Sequence, residues 1–237
     1  MQTNNISHLL PIKNDKIIDL RTCEVRDKNE NDQFDFVCPV NFIDSELPFA
    51  NKYFNELTTS LTLLQKCLGY CLTGDTSSQK FFVIKGIGNN GKTTLMEVLK
   101  YILSNSHKMM SVDGGVEQLT NVELNNSRLG IYSEINSDND ISTMFGGGLL
   151  SLIAGENVIV KKNNNVVLCP SSIKIILDTN VDLNFANNIA RCAITIPFTG
   201  QFVSNQQFLQ SLLDDHVDEL FSWMCLGAKM WYADNNF

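Results

Sequence analysis

Apolar residues recur along this chain at two periods, and the change from one to the other marks its elements. Phe49, Tyr53, Phe54, Leu57, Leu61, Leu64, Leu68 and Leu72 follow helical spacing. They predict two helices between Pro48 and Leu72, broken near Thr58 to Thr62. Residues 1 to about 50 are polar and irregular, with β-like pieces at Lys16–Leu20 and Phe34–Val37. The turn-rich stretch Thr73–Ser78 separates this appendage from the remainder of the chain. A strand at Phe81–Ile84 then leads, through glycines, into a helix running to Leu103. Beyond it the pattern predicts strands at Met109–Val112 and Leu129–Glu134 and a helix from about Ile141 to Ile153. Val158–Val160 and Val166–Leu168 flank Lys161–Asn165 as a hairpin would. Ser172–Asp178 is a near-continuous apolar run of the kind buried parallel strands show, and Ala193–Ile196 reads as the last strand. Phe208–Trp231 is an amphipathic helical stretch. Strands alternating with helices predict an α/β fold with a mostly parallel sheet.

The glycine-rich connection Gly86-Ile87-Gly88-Asn89-Asn90-Gly91-Lys92-Thr93-Thr94 carries the clearest chemistry. A loop of this spacing between a strand and a helix is built to hold phosphate. Gly86, Gly88 and Gly91 let backbone N–H groups approach phosphate oxygens. The helix opening near Lys92 turns its positive dipole end to the same anion. Lys92 would reach β- and γ-phosphates, and the Thr93 hydroxyl would sit on Mg²⁺. The expected ligands are therefore ATP and Mg²⁺.

Composition narrows the partners. The 237 residues suffice for one sizeable domain with an appendage, and 43% hydrophobic content is ordinary for a folded protein. No apolar run is long enough to span a membrane, and the N-terminus lacks the build of a signal peptide. Seven cysteines without a Cys-x-x-Cys pair, and His8, His107 and His216 scattered, give no metal-binding cluster. Buried thiols in a reducing compartment are the expectation. A net charge of −8 excludes a generic nucleic-acid coat, so any DNA contact must be local.

Four further positions carry candidate chemistry. Glu134 ends an apolar strand, where an ATPase needs a carboxylate to hold Mg²⁺ through water or to polarise the attacking water. Its neighbour is Ser133 rather than a second acid, so Glu134 would serve both roles, with Asp178 the next carboxylate in line. Asn180 closes the next apolar strand, where an amide can donate to a γ-phosphate and accept from water. Arg191 precedes the last strand; it is either a surface ion-pair partner or a guanidinium for a transferring phosphoryl group, arriving from a neighbouring subunit. Lys161 and Lys162, placed at the hairpin tip, suit the phosphates of a strand threaded past them, or merely solubility.

Together these pieces resemble superfamily 3 helicases, in particular primase-helicases of the poxvirus and phage type. The likeness runs from Leu10–Leu20 and Leu64–Gly74, through the loop, to Arg128–Glu134, Leu149–Glu156, Pro170–Asn180, Ala190–Phe198 and Trp223–Tyr232. Asp15 replaces a usual glycine, Glu156 an aspartate and Lys161 an arginine. The resemblance implies a P-loop NTPase core of the AAA+ class over residues 79–204. A pre-helicase segment over 1–78 would precede it, and a C-terminal helix over 205–237 would follow. It implies Lys92, Glu134, Asn180 and Arg191 as the catalytic set in a homo-hexameric ring that draws single-stranded DNA through its channel. A primase is an implied partner, and the cytoplasm or a viral replication site the implied location. Neither a primase module nor the winged-helix-like end of the family is present, which reads as a fragment or a reduced member. An AAA+ ATPase acting on something other than nucleic acid, and a non-hydrolysing ring or loading module, remain as alternatives.

Overall fold

The computed structural model describes residues 7–112, 127–135, 137, 140–141, 143–144, 148–162, 165–169, 171–203 and 205–237; for 158–162, 165–169 and 206 it describes the backbone alone. A five-stranded sheet forms the centre. Its strands are β4 (Phe81–Lys85), β5 (His107–Met109), β6 (Leu129–Ile135), β9 (Lys174–Thr179) and β10 (Ala193–Pro197). They run in the order β10-β4-β9-β6-β5, each neighbour parallel to the next. The apolar runs explain the layering. Along β4, Phe81 and Val83 point into one buried cluster while Phe82 and Ile84 point into another. Ile175 and Leu177 of β9 join the first and Ile176 the second. Period-two alternation thus gives a strand apolar on both faces, and helices must cover both. The result is a three-layer α/β fold.

One face is covered by helix α3 (Lys92–Leu103), by α2 (Leu61–Leu72) and by the long helix α7 (Val217–Asp234). The other packs against α4 (Leu149–Ile153) and buried Ile141 and Met144. A single helix over about 141–153 does not form. Residues 140–144 are helical where described, and Gly148 then takes φ +85°, a left-handed conformation that interrupts the helix before α4. A short helix α5 (Asn187–Ala190) precedes β10, and α6 (Gln206–Ser211) runs through a π-helical turn at Leu212–His216 into α7. The C-terminal stretch read as one helix is thus three segments.

The N-terminal residues form an antiparallel meander of β1 (Leu9–Ile12), β2 (Lys16–Asp19) and β3 (Glu24–Asp27). The expected strand at Phe34–Val37 is absent: those residues lie in an irregular segment that makes one bridge, Cys38 to Ile12. Helices α1 (Pro48–Leu57) and α2 come next. The strands β7 (Val158–Lys162) and β8 (Asn165–Cys169) pair as the expected hairpin, but Lys161 and Lys162 belong to β7 itself, with Lys162 opposite Asn165. Their side chains, and residues 163–164 between the strands, lie outside what the structure describes. The cysteines described are all free thiols. No helix among the described residues is long and apolar enough to cross a membrane.

Two buried cations fasten the N-terminal residues to the sheet. Lys174, at the start of β9, donates to the carbonyls of Thr73 and Ser172. Arg128 reaches the carbonyls of Ser7 and Leu9, each at 3.4 Å, and lies over the Phe36 ring. Burial holds Arg128 down at about 10 and Lys174 well below its ordinary value.

Helices α2 and α7 cross so closely that glycine is required on each. A Cβ on Gly69 would lie 2.1 Å from the Ala228 amide nitrogen, and one on Gly227 2.0 Å from the Gln65 carbonyl oxygen. Backbone cannot yield as a flexible side chain can. Gly227→Ala is therefore expected to lower the unfolding free energy in urea by about 1–3 kcal/mol. Lys229→Ala, exposed on the same helix, should change it by less than about 0.5 kcal/mol.

Candidate nucleotide-binding site

Residues 86–91 connect β4 to α3 at the carboxyl ends of the strands, where ligands of open α/β sheets bind. Gly88, Asn89 and Gly91 take φ +105°, +48° and +84°, so the chain curls back on itself before the helix starts. Gly86 serves a different need, close packing. A Cβ there would sit 1.7 Å from the Asn90 amide nitrogen and 2.7 Å from the Phe198 carbonyl oxygen. The loop is held from outside as well. The Gly86 amide donates to the Thr179 carbonyl at 3.1 Å and the Phe202 amide to the Asn89 carbonyl at 2.8 Å.

Lys92 is the centre of the site and is only 6% exposed. Its ammonium donates to the Gly86 carbonyl at 2.7 Å, to Asn90 Oδ1 at 3.0 Å and to Asn180 Oδ1 at 2.7 Å. Among the described residues it forms no ion pair with a carboxylate. Burial lowers its pKa, and the charge of nearby Asp178 works in the other direction.

The two strands beside β4 deliver the acids and the amide. The register between β6 and β9 shifts between Tyr132 and Ile135, so β6 carries a bulge at Ser133 and Glu134. The bulge changes which residue faces the core. Tyr132 and Ile135 enter the same apolar cluster, whereas strict alternation from Tyr132 would have buried Glu134 there. Glu134 instead stands exposed at φ +59° and lines the cavity. Neighbouring β9 pins this irregularity. The Glu134 amide donates to Asp178 Oδ1, and Thr179 Oγ1 donates to the Ile135 carbonyl at 2.6 Å. Asp178 is 5% exposed, and burial raises its pKa against the lowering effects of the Glu134 amide and Lys92.

These groups open into one cavity of about 420 Å³. Gly88 through Thr94, Glu97, Glu134, Asp178, Asn180 and Asn205 form its polar side; Tyr53, Leu57, Phe202, Val203, Phe208 and Leu209 form an apolar side. Gly86 supports the loop from behind, and Ile87 points away at 84% exposure. The apolar wall escaped the sequence reading because its members come from α1 and from the segment before and within α6, far from the loop in the chain. The expected residues Lys92, Thr93, Glu134 and Asn180 are brought together here. Arg191 is not among them. It is exposed, its Nε donates to the Asn188 carbonyl at 3.2 Å, and it lies just before β10, whose first residue pairs with the first of β4. The loop begins after the last residue of β4, so Arg191 stands at the other end of the sheet, on the order of 15–20 Å away at about 3.3 Å per residue.

No protein-family model matches the chain. A stretch of 45 residues, 19% of this chain, is 47% identical to "Putative helicase L207/L206" of Acanthamoeba polyphaga mimivirus, of which it spans 5%. The fold is similar to the apo structure of the NrS-1 C-terminal region, with a TM-score of 0.60 at 16% identity over 84% of this chain and 53% of that one. It is also similar to a JCV helicase bound to a thiazolopyridine compound, with a TM-score of 0.50 at 15% identity over 77% of this chain and 53% of that one. The chain thus spans about half the length of these solved structures. At such identities the likeness speaks for the fold, the same α/β P-loop architecture built from different residues.

A glutamate in the left-handed region carries strain that glycine would not, of about 1 kcal/mol. Glu134→Gly is expected to be more stable to urea than Glu134→Ala by about that amount. Equal stabilities would mean that the bulge relaxes when its side chain is removed.

Proposed function

We propose that this chain is the ATP-hydrolysing motor of a DNA helicase of the superfamily 3 type. The observation that carries the reading is the cavity itself: a curled glycine loop at the start of a twelve-residue helix shares it with Lys92, Asn180 and three carboxylates, Glu97, Glu134 and Asp178. The phosphates would lie within the curve of residues 86–91, favoured by backbone N–H groups and the helix dipole. Lys92 would exchange neutral oxygens for phosphate oxygens, a stronger charge-assisted contact. The apolar wall of Tyr53, Leu57, Phe202 and Phe208 would take the base.

The donors present fit Mg²⁺, since the Thr93 hydroxyl and the carboxylates are hard oxygens open to one cavity. Thr93 and Glu134 are the residues expected to hold it, and the ion would supply charge neutralisation to the phosphates. Glu134 would accept a proton from the attacking water, with Asn180 orienting that water and the γ-phosphate.

Arg191 cannot serve its own loop across the sheet, so it would serve a neighbour's. That reading calls for a ring, which a head-to-tail interface closes naturally, here a homo-hexamer. The hairpin with Lys161 and Lys162 would face the channel and a single DNA strand. The helicase names of the similar proteins and the motif resemblance favour nucleic acid over another substrate. A primase partner and a replication site in an infected cell belong to the same reading.

Lys92→Ala should reduce ATP affinity and hydrolysis by a factor of roughly 10² or more while leaving the unfolding midpoint near that of the parent. Retained turnover would remove this loop from the chemistry. Single-stranded DNA should stimulate the parent's ATPase, and its failure to do so would favour another substrate. Arg191→Ala should still bind ATP but lose on the order of 10³ in hydrolysis. Mixed with Lys92→Ala under proven subunit exchange, it should recover activity at interfaces that pair an intact loop with an intact arginine. Exchange without recovery would remove the shared site.

A further inference from the structure

The sequence leaves the site with one acid where two roles need filling, because the residue before Glu134 is Ser133. The fold brings two more to the cavity, and of these Glu97 is paired with Lys100 at 2.7 Å, which leaves Asp178. We propose that Asp178 is the second carboxylate of this site and relieves Glu134 of the double role the sequence pattern gives it: Asp178, rather than Glu134, takes the divalent cation that accompanies the nucleotide, and Glu134 is left to the attacking water. The proposal rests on the nucleotide reading and divides its labour.

Three observations carry it. First, Asp178 lies on β9 directly beside the bulge, accepts the Glu134 amide and lines the same cavity as Thr93 and Lys92. Second, it is a buried acid that forms no ion pair among the described residues. A carboxylate has about four lone-pair positions, and the backbone N–H groups of Glu134 and of Asp178 itself occupy two. The others are taken up by no ion pair among the described residues, and a buried carboxylate gains from a cation in contact with it. Lys92 favours the charged carboxylate only at a distance, because its ammonium is hydrogen-bonded to three neutral oxygens and makes no ion pair with Asp178. Third, the two acids differ in the way two roles would demand. Asp178 is short, buried and tied to backbone on the central part of the sheet. Glu134 is longer, exposed and kept out of the apolar core by the bulge, and it too lines the cavity.

The test is the dependence of nucleotide affinity on the cation, read with a fluorescent ATP analogue in Mg²⁺ and in EDTA. Asp178→Asn keeps one oxygen for the Glu134 amide, removes the charge and turns the other oxygen into an N–H₂ donor. It should lose about 10-fold or more of the gain in affinity that Mg²⁺ gives the parent, while its affinity in EDTA is unchanged or tighter. Glu134→Gln should keep the whole gain and lose hydrolysis. Asp178→Cys provides a second arm that does not depend on Asp178→Asn folding well. A thiolate favours a soft cation, so Cd²⁺ should restore the gain that Mg²⁺ no longer gives. A full Mg²⁺ gain in Asp178→Asn, or loss of that gain in Glu134→Gln, would overturn the division. A parent that binds no nucleotide under either condition would overturn the nucleotide reading and the division with it; a parent that binds while Asp178→Asn matches it in both would overturn the division alone.

Discussion

The ammonium of Lys92 is the contact on which the site depends. It is buried, and among the described residues it is satisfied by three neutral oxygens rather than by a carboxylate partner. Each oxygen comes from a different structural decision. The Gly86 carbonyl is there because β4 ends where it does, Asn90 because Gly86 leaves room for its amide, and Asn180 because β9 lies beside β4. A cation held this way is poised rather than neutralised. A phosphate, in the proposed reading, would offer it more than it gives up, which a pre-formed salt bridge would not allow.

The acids are placed by the same logic at one remove. Burial of β6 would draw Glu134 into the apolar core if the strand kept its alternation. The bulge restores the core with Ile135 and turns Glu134 outward, and Asp178 and Thr179 hold the irregularity in place. The N-terminal and C-terminal segments complete the cavity, because Tyr53 and Leu57 on one and Phe202 and Phe208 on the other form its apolar side. Those segments are themselves joined by the glycine crossing of α2 and α7.

Much of this was legible in the residues. The loop, and strands buried on both faces such as Phe81–Ile84 and Ile175–Leu177, announce themselves because chemistry and burial both act on neighbours in sequence. What was not legible is local structure without an apolar signature. All four residues of β3 are exposed, so hydrogen bonding to β2 alone makes it a strand. Phe34 and Phe36 alternate as a strand would, yet they pack edge to face against each other in an irregular segment. The bulge at Glu134 and the division of the C-terminal helix at Leu212–His216 are invisible to periodicity for the same reason. The distance between Arg191 and the loop is a property of parallel strand pairing, which sequence spacing does not report.

The central claim is that this loop, with Lys92 at its heart, is a phosphate cradle whose resting contacts are exchanged on binding. The most direct measurement is a structure with Mg²⁺ and a non-hydrolysable ATP analogue. The β-phosphate should then lie inside the curve of residues 86–91, with the Lys92 ammonium moved from Gly86 and Asn90 onto phosphate oxygens. A nucleotide bound elsewhere, with Lys92 still on its three present partners, would contradict it.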